Sequence, residues 1–130
     1  MTHLRGIKPP LKADANALTK APPPPKRLTK WGAAEWKRVM PQLITRRIIT
    51  SGDLAGIENY CAAVGAAQQI AEHMRTLPLP DLKLGGLQIR YTQTARQLAA
   101  EYGLTPTSRA RVGGNVPDDD DADDDNPLKV

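Results

Sequence analysis

A chain of 130 residues forms at most one compact domain with tails, and two Trp, three Tyr and no Phe leave little aromatic packing. Twelve Pro and an Asp-rich run near the end reduce the segment that can build a core to roughly 80 residues, a size that gains stability from association. One Cys excludes an internal disulfide, and the sequence has no membrane-spanning apolar run and no signal-peptide core, so we expect a soluble intracellular protein.

Charge is distributed unevenly along the chain. Residues 1–50 carry a net charge of +9, residues 51–112 carry +1, and residues 113–130 carry −6, which together give +4. A basic front and an acidic tail favour partners of opposite sign, and nucleic acid is the obvious candidate for the front. Basic tails also serve solubility alone, so charge by itself leaves contact with DNA open.

The first segment, residues 1–27, has no apolar periodicity and contains the run Pro22–Pro25. Consecutive prolines favour an extended conformation without internal hydrogen bonds. We therefore predict a basic leader that is disordered or lies along a partner.

A first helix is predicted after Thr29, which serves as its N-cap. Trp31 and Trp36 stand at helical spacing on a broad apolar face, which favours packing in the core over stacking on bases. Pro41 interrupts this pattern, because proline removes an amide hydrogen bond, and it predicts a kink or a split into two helices.

The longest predicted helix covers residues 50–77. Thr50 or Ser51 offers a capping hydroxyl, Asp53 falls in the first turn, and Pro78 prevents continuation. Apolar residues recur along one face at spacings of three and four, and they form the stripe Leu54, Ile57, Cys61, Val64, Ala67, Ala71 and Met74. No charged residue lies between Asn59 and Ala71, so we predict that the stripe is an interface between copies of the chain; burial within a small helical bundle is the alternative.

An ordered loop is predicted between Pro78 and Gln88, because two prolines and Gly85-Gly86 interrupt the leucines there. A third helix is predicted from Gln88 to Tyr102, with Gly103 as its C-cap. We expect this helix to pack antiparallel on the long one.

The chain then predicts a short final helical turn and a tail. Thr105-Pro106 is typical of an N-cap followed by proline, and the turn would present Arg109 and Arg111. Residues 113–130 are too acidic to build a core, so we predict a disordered tail that either docks on a partner protein or only adds solubility.

No residue pattern predicts catalysis. His3 and His73 lack a second His or Cys at metal-ligand spacing, and Gly85-Gly86 lacks the Lys and Ser or Thr of a phosphate-binding loop. We therefore expect no catalytic residue, no metal site and no cofactor, and we predict that the protein is not an enzyme.

Three segments together resemble a phage terminase small subunit of the P27 type. The first is the basic Pro-rich leader followed by Glu35-Trp36-Lys37-Arg38 with Pro41 downstream, and the second is the capped start Thr50-Ser51-Gly52-Asp53 that leads to Asn59-Tyr60-Cys61. The third and most specific segment is residues 102–112, with the sequence YGLTPTSRARV.

This resemblance implies an all-α fold in which a long central helix packs antiparallel with shorter helices and the subunits assemble into a ring. It implies a disordered leader over residues 1–27, a helical oligomerisation and DNA-packaging core over residues 28–112, and a disordered tail over residues 113–130. Such proteins act in the host cytoplasm, recognise double-stranded viral DNA, and recruit the large terminase subunit, whose ATPase and nuclease activities they modulate. They have no catalytic activity of their own. From the sequence itself, the lack of an apolar run long enough to span a bilayer predicts no membrane partner.

Basic residues in the first half of the chain are the predicted phosphate contacts, namely Lys26, Arg27, Lys30, Lys37, Arg38, Arg46 and Arg47. Arg46-Arg47 suits a phosphate, although a solvated turn fits the same pair. Leu128 and Val130 are the predicted contacts with the large subunit. A small dimeric helix-turn-helix DNA-binding regulator and an adaptor that binds only proteins are the alternative functions.

Overall fold

The computed structural model describes residues 16–105, which form three α-helices and no strand within that range. In chain order these elements are α1 (Lys30–Arg46), a 3₁₀ turn (Ser51–Asp53), α2 (Leu54–Arg75) and α3 (Leu82–Glu101). The predicted all-α class is confirmed. Predictions for the start of the leader, for Arg109 and Arg111, and for the acidic tail concern residues outside this range.

Helix α1 begins and ends at recognisable caps. The Thr29 hydroxyl accepts a hydrogen bond from the Gly32 amide at 3.2 Å, which confirms the predicted N-cap. At the other end Arg47 adopts a left-handed conformation with φ of 55°, and its amide donates to the Ile44 carbonyl at 3.0 Å.

Helix α1 runs through Pro41 as one element, so the predicted split into two helices is wrong. Proline leaves the carbonyl of Lys37, four residues earlier, without its amide donor. Both residues lie on the exposed face of α1, where water can hydrogen-bond that carbonyl. The Thr45 hydroxyl also donates to the Pro41 carbonyl at 2.9 Å.

Helix α2 begins after a reciprocal cap. The Asp53 carboxylate accepts the Thr50 amide at 2.9 Å, and the Asp53 amide donates back to the Thr50 carbonyl at 3.0 Å. The regular α-helix ends at Arg75, shortly before Pro78, close to the predicted end.

Helix α3 starts at Leu82, so the prediction of a loop as far as Gln88 is wrong. Asp81 caps this helix, because its side chain accepts the Leu84 amide at 3.0 Å. Two internal glycines cost a helix about 1 kcal/mol each relative to alanine, which packing against α2 offsets. At the far end Tyr102 is the C-cap, and Gly103 directly after it has φ of 69°, so the predicted glycine ends the helix one position later than the cap itself.

Helix α2 is central, and α1 and α3 each pack against it. Met74 at the end of α2 lies beside Gly85 at the start of α3. At the opposite end of the pair, the Tyr102 hydroxyl, just after α3, lies over Gly56 at the start of α2. These two contacts confirm the predicted antiparallel pair.

The core draws mainly on α1 and the first half of α2. Its buried apolar side chains are Trp36, Val39, Met40, Leu43, Ile49, Ile57, Tyr60, Cys61, Ala63, Ala95 and Ala99. Trp36 is therefore a core residue, as predicted, while Trp31 is half-buried with the Lys30 ammonium 4.7 Å from its ring centroid.

Helices α1 and α2 cross at two glycines. A Cβ atom added at Gly65 would lie 2.6 Å from the Gly32 nitrogen and 2.9 Å from its Cα. These distances are too short for any side chain, so the crossing requires glycine at position 65.

Part of the predicted leader packs on the chain's own helices. The Trp36 indole N–H donates to the Pro22 carbonyl at 3.0 Å, and the Leu18 amide donates to the Ile49 carbonyl at 2.8 Å. Extended proline-rich backbone makes no internal hydrogen bonds, so the Pro22 carbonyl is available to the core tryptophan. Residues 16–27 thus contact α1 and the segment that follows it, whereas the prediction for residues 1–27 was a leader that is disordered or lies along a partner.

Candidate nucleic-acid interface

The exposed face of α1 carries a strip of positive charge. Lys30 and Lys37 are seven residues apart, which places them on the same side of the helix, and Ala34 lies between them. The only acidic residue of α1, Glu35, is buried on the opposite side. Lys26 is exposed just before the helix. These three lysines, Lys26, Lys30 and Lys37, are hereafter the α1 strip.

Arg38, a predicted phosphate contact, is paired within the chain. Its Nε donates to Glu35 Oε1 at 2.8 Å, and its Nη2 contacts the second oxygen of the same carboxylate. The Tyr60 hydroxyl, on α2, donates to that carboxylate as well. Two donors from two helices thus satisfy a carboxylate that is 7% exposed.

Within this network the pKa values of Arg38 and Tyr60 are raised. The hydrogen bond from Arg38 to Glu35 raises the pKa of the guanidinium. Burial, and then the Glu35 carboxylate, raise the pKa of the Tyr60 phenol. Both groups therefore keep their protons at neutral pH. Since Glu35 offsets the charge of Arg38, this arginine adds little net positive charge to the surface.

Two further predicted phosphate contacts also have partners in the chain. The Arg27 Nη2 donates to Glu58 Oε1 at 2.6 Å, although the Arg27 side chain is 77% exposed. Arg46 donates to the carbonyl of Gly103 after α3. Arg46 therefore ties the end of α1 to the end of α3, whereas its neighbour Arg47 is exposed.

The structure divides the seven predicted phosphate contacts into two groups. Arg27, Arg38 and Arg46 bond within the chain and support the fold. Lys26, Lys30, Lys37 and Arg47 are exposed.

The predicted interface stripe of α2 is largely occupied by the chain itself. Ile57 and Cys61 are fully buried, and burial raises the pKa of the Cys61 thiol to about 12. Leu54 and Val64 pack against the same core. Ile57 and Cys61 therefore do not face another copy in this fold.

The rest of the stripe, namely Ala67, Ala71 and Met74, is half-buried. Contact between copies at these positions stays a prediction. Between Leu54 and Ala71 the exposed residues of α2 are small or uncharged, among them Ala55, Asn59, Ala62 and Gln69, and exposed charges appear only in its last turn.

Sequence reasoning missed a second group of exposed cations, which lies on α3. Lys83, Arg90 and Arg96 are all exposed there. Lys83 was missed because a loop was predicted before Gln88, whereas Arg90 and Arg96 lie in the predicted third helix but were not among the predicted phosphate contacts. The Asp81 N-cap was the feature that could have revealed the earlier start.

The described domain is strongly basic. Residues 16–105 contain twelve Lys and Arg against six Asp and Glu, a net charge of +6. Within that range no group of three or more His, Cys, Asp or Glu side chains is placed to hold a metal ion, and no helix has the length and apolar character to cross a membrane. The geometry is thus that of a basic surface on a helical scaffold.

A comparison with protein families gives a match within the described domain. Residues 32–80 match the family model described as phage terminase, small subunit. The match covers less than half of the chain but contains nearly all of α1 and the whole of α2. No curated protein and no solved structure matches the chain. The α1–α2 pair is therefore similar in sequence to phage terminase small subunits.

Proposed function

We propose that this chain is the small terminase subunit of a tailed-phage packaging motor, of the P27 type. It binds double-stranded viral DNA in the host cytoplasm and recruits or regulates the large ATPase and nuclease subunit without catalysis of its own. The observation that carries the proposal is the family match over residues 32–80. The α1 strip begins just before this region and continues into it.

DNA binding is proposed for the α1 strip together with Arg47. Lysine ammonium groups that neutralise phosphates release counterions, which gives affinity without reading the bases. Arg27 and Arg38 are already paired with carboxylates, so they add less net positive charge to this surface than their formal charges indicate. Sequence preference, if present, would then arise from the shape of the DNA.

The test compares two charge-matched double variants. Lys30→Ala with Lys37→Ala removes two charges from α1, and Lys83→Ala with Arg90→Ala removes two from α3. If the α1 strip binds phosphates, the first pair lowers the slope of log affinity against log salt by about 2, since each phosphate contact contributes roughly 0.9. The α3 pair leaves the slope close to that of the unmodified protein.

An unchanged slope in the α1 double variant, or an equal decrease in slope in both double variants, would contradict the assignment of DNA binding to α1. Both variants change only exposed side chains, so thermal unfolding near the temperature of the unmodified protein provides the check on folding.

Assembly into a closed ring of many copies is the second part of the proposal. It is supported by the exposed side of α2, which is uncharged over residues 59–71, and by the half-buried Ala67, Ala71 and Met74. Native mass spectrometry at several concentrations tests it, and a single species of many subunits is expected. A dimer that protects a short palindromic site would instead favour the helix-turn-helix regulator.

Recruitment of the large subunit is proposed for Leu128 and Val130, which lie outside the described residues. Deletion of residues 118–130 should then abolish stimulation of the large-subunit ATPase. The number of subunits in the oligomer should not change. Undiminished stimulation by the shortened chain would refute this contact.

A further inference from the structure

The exposed face of α3 combines apolar and cationic side chains in adjacent rows. Leu82 and Ile89 are seven residues apart and are 91% and 60% exposed. Lys83 and Arg90 have the same spacing and form the neighbouring row. The α3 groove, a shallow depression in this face, is lined by Leu82, Lys83, Gly86, Leu87 and Arg90.

Gly86 gives the groove its floor. A Cβ atom at this position would meet nothing within 4 Å, so the backbone of α3 lies bare between the two rows. Leu79 is 77% exposed on the turn before α3. Single exposed leucines are ordinary, but four large exposed apolar side chains within residues 79–89 indicate a binding surface.

The composition of the groove specifies its ligand. A partner needs apolar side chains for Leu82 and Ile89, and it needs acidic groups for Lys83 and Arg90. Residues 118–130 of this chain contain seven Asp followed by Leu128 and Val130, and so combine both features in the required proximity.

We propose that the α3 groove binds residues 118–130 of the same chain. Asp side chains of this segment pair with Lys83 and Arg90, and the apolar end covers Leu82 and Ile89. Charge complementarity supports the assignment, because the described domain has a net charge of +6 and its own six acidic residues are spread along the sequence.

The length of the chain permits this contact. Thr105 lies just past the C-terminal end of α3, and residues 106–130 follow it. Helix α3 is about 30 Å long at 1.5 Å per residue. A segment of roughly 20 extended residues reaches about 65 Å, so the C-terminal residues can reach the N-terminal half of the helix.

The apolar end distinguishes the α3 groove from the α1 strip. The large hydrophobic residues that are exposed in the described domain are Leu79, Leu82, Leu87 and Ile89, which all lie in α3 or the turn before it. Around Lys30 and Lys37 the exposed apolar neighbours are Ala34 and Pro41. The larger Trp31 is half-buried beside the Lys30 ammonium, so no large hydrophobic side chain of the described domain is exposed there. The Asp residues of the tail could pair with the basic residues of either surface, whereas the apolar Leu128 and Val130 favour the α3 groove.

Docking on α3 would leave the α1 strip open to DNA and would occupy the residues proposed to contact the large subunit. A partner would then have to displace the tail from the groove. The docking itself does not depend on the proposed packaging function, since it follows from surfaces within one chain.

Photo-cross-linking of the full-length protein tests the inference. Leu82→p-benzoylphenylalanine places the reactive group in the α3 groove, and Ala34→p-benzoylphenylalanine is the matched control on the exposed face of α1. After irradiation and proteolysis, mass spectrometry should find cross-links from position 82 to residues 118–130 and few or none from position 34. A second reactive site at Ile89 gives the same readout with Leu82 intact.

Charge reversal completes the test. Lys83→Glu with Arg90→Glu should abolish the cross-links from Ile89→p-benzoylphenylalanine, whereas Lys30→Glu with Lys37→Glu should retain them. Absence of tail cross-links from both α3 sites, or equal yields from position 34, would overturn the inference. Mixing ¹⁵N-labelled with unlabelled chains identifies the donor of the tail, and cross-links found only between chains would overturn the same-chain assignment. DNA affinity measured on the same variants reports separately on the α1 strip.

Discussion

Gly65→Ala examines the crossing of α1 and α2, on which the position of the α1 strip depends. The added Cβ atom would lie 2.6 Å and 2.9 Å from the nitrogen and Cα of Gly32, and 3.0 Å from the Thr29 hydroxyl. Backbone atoms cannot rotate away, so the helices must separate. Such overpacking costs about 1–3 kcal/mol, while alanine gains up to about 1 kcal/mol in helix propensity over glycine.

We expect a net loss of about 1–2 kcal/mol in the free energy of unfolding, because separation of α1 from α2 also stretches the bond between Tyr60 and Glu35. Denaturant unfolding at fixed protein concentration measures this loss, since association would otherwise add apparent stability. A loss of 1 kcal/mol corresponds to a decrease of roughly 4–8 °C in Tm for a domain of this size.

Gly85→Ala is the matched control, because it makes the same chemical change inside α3. Its Cβ atom would meet only Met74 Cε, at an ordinary contact distance of 3.8 Å. Here propensity acts alone, and a gain of up to about 1 kcal/mol is expected. If Gly65→Ala proved as stable as the unmodified protein or as Gly85→Ala, the close approach of the two helices would be refuted.

Three further predictions concern a buried hydrogen bond, the titration of a buried thiol and an exposed helix cap. Tyr60→Phe removes one donor from the buried Glu35 carboxylate and should cost about 1–3 kcal/mol in denaturant unfolding; an unchanged midpoint would exclude the bond. Burial raises the pKa of Cys61 from an ordinary value of 9.0 to about 12. Between pH 9.0 and about pH 12 the folded chain therefore keeps a proton that the unfolded chain releases, and the free energy of unfolding should fall by up to about 1.4 kcal/mol per pH unit. Cys61→Ala should flatten this decline, and an equally steep decline would assign it to other groups. Asp81→Ala removes the cap on the Leu84 amide and should lower stability by about 1 kcal/mol, whereas no loss would indicate that α3 begins later.

Local patterns determined most of the secondary structure. The N-cap at Thr29, the acidic first turn at Asp53 and the helix-ending glycine at position 103 were predictable because each depends on a few neighbouring residues. The early start of α3 was missed because two glycines outweighed the Asp81 cap in the sequence, whereas packing on α2 outweighs them in the fold. The basic character of the surface also follows from composition alone.

Tertiary structure decided what each face contacts. Periodicity placed Ile57 and Cys61 on an apolar stripe, but a repeat of 3.6 residues does not say whether that stripe meets the same chain or another copy. Packing against α1 gave the answer for these two residues, which are buried within the chain. In the same way the charges of Arg38 and Glu35, three residues apart on α1, were evident from the sequence, whereas the burial of Glu35 and its hydrogen bond from Tyr60, twenty-five residues away, were not. Which charges remain exposed for a partner is thus a property of the packed helices, because only packing brings distant residues together.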